Sequence, residues 1–97
     1  MIVKIHPTPN GRMLAICDSE LLGKVFEEDD KQLNLDSQFY KGEEMPEDKL
    51  KEIIKTCYVI NAVGKESTGF LLKEDMIKEE NIMEISGIPH TQCVIEH

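Results

Sequence analysis

The run Gly87-Ile88-Pro89-His90-Thr91-Gln92 constrains this chain more than any other stretch, because it lies between two apolar segments and dictates its own backbone. Pro89 fixes its own φ and pushes Ile88 toward extended geometry, while Gly87 can take the positive φ that most residues avoid. The flanking segments Ile82-Met83-Glu84-Ile85 and Gln92-Cys93-Val94-Ile95 then read as two strands joined by a rigid Gly-x-Pro-His turn. A second hairpin is expected at the other end. Met1 to His6 and Arg12 to Cys17 form its strands, and Pro7-Thr8-Pro9-Asn10-Gly11 makes the return.

Between the hairpins the pattern changes period. Asp18 or Ser19 caps a short expected helix whose buried face is Leu21, Leu22, Val25 and Phe26. Gly23 inside it is either a tolerated helix glycine or a point of close backbone approach. Gln32 to Leu35 alternates as a short strand, and Phe39-Tyr40 anchors a loop beyond it. Pro46 opens a helix in which Leu50, Ile53, Ile54 and Cys57 share one face. Tyr58 to Val63 is a buried strand closed by Gly64, and a helix starting near Lys65 or Glu66 buries Phe70 and Leu71. This mixture predicts an α+β fold. The expected architecture is a two-layer sandwich, a mixed and largely antiparallel sheet with two or three helices on one face, built as a single domain over residues 1–97.

A chain of 97 residues buries only about 60–65% of the surface its unfolded form exposes, enough for one modest core. No apolar run is long enough to span a membrane and the N-terminus lacks a secretory pattern, so a soluble, cytoplasmic protein with no membrane partner is expected. Cys17, Cys57 and Cys93 are odd in number and each sits in an apolar run, which reads as buried reduced thiols. With no Cys-x-x-Cys pair, and with His6, His90 and His97 at no ligand spacing, neither a metal nor any cofactor is expected. The net charge of −8 excludes a general binder of duplex DNA. An RNA contact would need a local patch such as Lys4, Arg12 and Lys24, while Glu27-Glu28-Asp29-Asp30 and Glu79-Glu80 read as solvated loops.

Gly64-Lys65 before a helix invites comparison with a phosphate loop. The comparison fails at spacing, since Val59 stands where the first glycine is needed and Glu66 where Ser or Thr must follow lysine. A weak anion site at Gly64 and Lys65 is what remains. His90 is the best single candidate for a general acid or base, because its ordinary pKa near 6.5 matches neutral pH. Its other reading is a structural lock that bonds a neighbouring carbonyl. If Thr91 is already in the strand, His90 and Gln92 share one sheet face, where they can read a base edge, a peptide amide or a small polar ligand.

Four segments together carry a resemblance: Arg12-Met13-Leu14-Ala15-Ile16-Cys17-Asp18-x-Glu20-Leu21-Leu22-Gly23-Lys24-x-Phe26, then Phe39-Tyr40-Lys41-Gly42, Asn61-Ala62-Val63-Gly64 and the Gly87 to Gln92 run. The chain resembles the small archaeal proteins grouped as domain-of-unknown-function family 424. The resemblance implies a compact two-layer α/β sandwich from an archaeal cytoplasm and brings no catalytic residues to transfer. The expected function is therefore a noncatalytic binding module for a protein or structured RNA of the archaeal information-processing, translation machinery. Its expected recognition residues are Arg12, Gly64, Lys65, Gly87, Pro89, His90 and Gln92. The alternatives are a small enzyme in which His90 acts as general acid or base with Asp18 or Tyr40 in support, and a structural homodimer rather than a monomer.

Overall fold

The computed structural model describes residues 1–95, so His97 lies outside the described residues. The strands are β1 (Ile2–Thr8), β2 (Gly11–Cys17), β3 (Val25–Glu28), β4 (Lys31–Asn34) and β5 (Glu43–Glu44), followed by α1 (Glu47–Ile54), β6 (Cys57–Val63), α2 (Lys65–Lys73), β7 (Met83–Ile85) and β8 (Ile88–Val94). Six strands form a mixed sheet in the order β5-β1-β2-β6-β8-β7, and β3 with β4 forms a separate two-stranded arm. Within the large sheet β2 and β6 run parallel, and the other neighbours are antiparallel. The α+β class expected from the pattern is the class observed.

Both hairpins form, and each is closed by local chemistry. Thr8 faces Gly11 across a two-residue Pro9-Asn10 turn, one residue earlier than the Asn-Gly pair suggests. Strand β1 also runs through Pro7. Met45 N–H donates to the Met1 carbonyl at 2.9 Å, and β5 pairs with Ile2 and Val3, so Met1, Val3, Ile5 and Pro7 direct their backbone groups away from β2. The missing N–H of Pro7 therefore costs the β1–β2 ladder nothing. At the other end Ile85 faces Ile88 across Ser86 and Gly87, whose φ values of 52° and 77° make a left-handed two-residue turn.

Side chains alternate across the sheet and sort into two apolar clusters. Val3, Leu14, Ile16, Ile60 and Ala62 meet Leu50 and Ile54 of α1 and Phe70 and Leu71 of α2 in the larger one. On the opposite face Cys17 and Val63 pack with Leu21 and Leu35, and Ile2, Phe26, Leu33, Tyr40 and Ile88 join them. The β3–β4 arm thus covers one end of the face that the helices leave.

The helix expected after Asp18 is absent. Ser19–Leu21 makes a single 3-10 turn and Val25 begins β3, because Gly23 adopts φ 88°, outside any right-handed helix. Nothing lies within 4 Å of a Cβ built on Gly23, so its role is this reversal and not close packing. The spacing of Leu21, Leu22, Val25 and Phe26 mimics a helical face, yet Leu21, Leu22 and Phe26 reach the second cluster from a turn and a strand.

Candidate functional site

The parallel pair β2–β6 sets up the first feature. Where two parallel strands end side by side, the chain leaving one and the helix following the other frame a crevice at their carboxyl ends. Asp18 follows β2 and is 3% exposed. Its carboxylate accepts the N–H groups of Glu66 and Ser67 at 3.0 and 2.7 Å and the Ser67 hydroxyl at 2.8 Å, capping α2 from just beyond β2, 48 residues before Glu66. Gly64 lets it approach: φ is 108°, and an added Cβ would lie 2.2 Å from the Asp18 carboxyl carbon. The weak anion site expected at Gly64 and Lys65 is corrected here: the protein's own Asp18 carboxylate occupies the helix start.

The Gly-x-Pro segment meets this corner. Gly64 N–H donates to the Pro89 carbonyl at 2.8 Å, while the Gly64 carbonyl accepts Thr68 N–H at 3.0 Å and the Thr68 hydroxyl at 2.8 Å. With that carbonyl engaged by the helix, the missing N–H of Pro89 leaves no acceptor waiting. Gly64, Lys65, Gly87, Ile88 and Pro89 line a hollow of about 200 Å³ with Asp18, Glu20 and Leu21. Four of the seven expected binding residues are brought together here. The volume is below the roughly 300–1,000 Å³ of ordinary small-molecule pockets and suits one inserted side chain.

His90 and Gln92 lie elsewhere. The turn closes at Ser86-Gly87, so His90 stands within β8 rather than in the turn, and the alternation puts it with Gln92 on the face away from the helices. Asn61 of β6 sits directly opposite Gln92, and Val63 opposite His90. Among the described residues no protein group is hydrogen-bonded to the side chains of Asn61, His90 or Gln92, and none of their polar atoms is a buried, unsatisfied one. Three polar side chains therefore stand together with their bonding capacity turned to solvent. The lock reading of His90 fails on this point. Burial, and then the nearby Lys31 ammonium, hold its pKa below the ordinary histidine value. Asn61 was not among the expected residues, although a lone carboxamide inside the apolar run Tyr58 to Val63 is a visible signal of it.

Arg12 belongs to neither group. It donates to the Thr56 hydroxyl at 2.9 Å, five residues or about 17 Å along β2 from Cys17. Of the groups expected to support catalysis at His90, Asp18 is engaged in capping α2, and Tyr40 packs against the second apolar cluster, where burial raises its phenol above the usual value. The three cysteines are buried, and burial pushes the Cys17 thiol up to about 11 with the Asp18 charge adding to it. Among the described residues no group of three metal-ligating side chains converges. Among the described residues no helix is long and apolar enough to cross a membrane.

The model of the family described as "Protein of unknown function (DUF424)" matches residues 6–95. The chain belongs to that family. The DUF424 fold is also similar to a solved crystal structure of an uncharacterized conserved protein from Methanopyrus kandleri, with a TM-score of 0.80 and 27% sequence identity. That match covers 99% of this chain and 93% of the other, so the sheet, both helices and the arm lie within the shared fold. No curated protein matches.

Proposed function

We propose that this DUF424 protein is a noncatalytic binding module that recognises a protein or a structured RNA of the information-processing machinery through the sheet face away from the helices. The observation that carries the reading is the cluster of Asn61, His90 and Gln92, adjacent in register and without protein partners among the described residues. Carboxamide and imidazole groups side by side offer donors and acceptors to a peptide or a base edge at no cost of breaking internal bonds. On this reading the helices and the sheet are the two layers of a sandwich, and the second sheet face is left for recognition between the β3–β4 arm and exposed Val94. Val94 and Met83, 66% and 61% exposed, supply apolar contact at its border. An archaeal cytoplasm is the setting proposed.

Binding is favoured over catalysis because the nearby groups are quiet. The Cys17 thiol is protonated at neutral pH, and Asp18 is committed to α2. Affinity purification from native extract, with and without ribonuclease, tests the proposal. A partner retained by the wild type and lost by a folded His90→Ala, Gln92→Ala double variant is the expected result. Equal retention by the variant would refute the recognition face, and ribonuclease sensitivity separates an RNA partner from a protein.

A further inference from the structure

The sheet edge opposite β7 offers a second, independent surface. Strand β1 has seven residues, yet β5 pairs with only Ile2 and Val3. Because the Met45 N–H to Met1 carbonyl bond fixes which residues face that edge, the next outward pair after Val3 is the N–H and C=O of Ile5. Those two groups have no neighbouring strand among the described residues. Beside them lies a cavity of about 450 Å³ lined by Val3, Lys4, Ile5 and Met45 together with the Lys41 to Glu43 segment. Val3 belongs to the helix-side apolar cluster, and Ile5 and Met45 pack against it, so the cavity has an apolar floor.

We propose that this edge docks a short extended segment of a partner polypeptide, which pairs with Ile5 in line with β5 and inserts one apolar side chain over Ile5 and Met45. The occupant follows from the chemistry. A donor and an acceptor on one residue of an open strand match the backbone of an added strand, and a cavity on one sheet face takes alternate side chains of that strand. Pro7, the next outward residue, has no N–H to offer and ends the site, so the ordered segment is short. A second copy of this chain fits poorly. Antiparallel pairing centred on Ile5 would set Pro7 of one copy against Val3 of the other, where β5 already stands, and would join two chains of charge −8.

The test is a randomised heptapeptide phage library panned against the full chain, followed by amide hydrogen exchange of the ¹⁵N-labelled protein with a selected synthetic peptide. The expected result is slowing of Ile5 amide exchange at least tenfold. N-methylation of the peptide at the residue that pairs with Ile5 should weaken binding at least tenfold, with the protein itself unaltered. Failure to select any peptide, binding that leaves Ile5 exchange unchanged, or indifference to every single N-methylation would overturn the proposal. So would light scattering that shows a dimer with Ile5 already protected before peptide is added. Loss of this site leaves the Asn61, His90 and Gln92 face untouched, since that face is read by the double variant and not by edge pairing.

Discussion

At the residue scale the Asp18–Gly64 contact concentrates the most consequence in the fewest atoms. Asp18→Ala removes three hydrogen bonds to a buried carboxylate and leaves the Ser67 N–H and hydroxyl without their acceptor. Its expected cost is about 3 kcal/mol, combining cap loss with an unsatisfied buried donor, and scanning calorimetry should show Tm lower by about 12–24 °C. Gly64→Ala should be similarly severe, because a side chain at φ 108° is strained and its Cβ would overlap the held Asp18 carboxylate. Cys17 should resist iodoacetamide in the native state at pH 8. With its pKa at about 11, only about one thiol in a thousand is ionised there, and mass spectrometry of native against urea-unfolded protein reads the difference. His90 sets a pH dependence of known sign. Its folded pKa lies below the unfolded value near 6.5, so the unfolded chain binds more protons below that pH, and stability falls as pH drops through the folded value. Urea unfolding at pH 7 and pH 5 should show a smaller drop for His90→Gln than for the wild type.

At the element scale, turns and edges decide more than propensity. Gly23→Ala should cost about 1 kcal/mol from backbone strain alone, because open space surrounds the site, and Gly23→Asn should cost less since Asn tolerates positive φ. The same glycine explains why the region after Asp18 departs from the expected helix: Leu21, Leu22, Val25 and Phe26 have helical spacing, and only a backbone dihedral shows the chain reversing between them. Elements whose signals are local were legible. Pro46 and the Leu50, Ile53 and Ile54 stripe mark α1, and the β-branched run before Gly64 marks β6. The turn at Ser86-Gly87 was displaced by Pro89, whose fixed φ suits a strand as well as a turn. Of the candidate site, Gly64, Lys65, Gly87 and Pro89 are legible from punctuation, whereas Asn61 was missed although its apolar context marks it. The cap that Asp18 makes on α2 is not legible, because no local pattern links residues 48 positions apart.

At the scale of the whole molecule, charge and connectivity govern behaviour. A net charge of −8 on 97 residues repels itself, while surface ion pairs such as Lys41–Asp36 and Lys55–Glu52, each at 3.6 Å, contribute little. Raising sodium chloride from about 10 mM to 0.5 M shortens the screening length from roughly 30 Å to under 10 Å and should raise Tm by a few degrees in calorimetry. A fall in Tm would mean that the ion pairs outweigh the repulsion. The parallel alignment of β2 with β6 has a further, temporal consequence. Arg12 to Cys17 must wait for Cys57 to Val63 before their second neighbour exists, and between these partners the chain makes an arm, an edge strand and a helix. During synthesis the first hairpin would leave the ribosome with one flank bare, and assembly would finish only after the later half is translated.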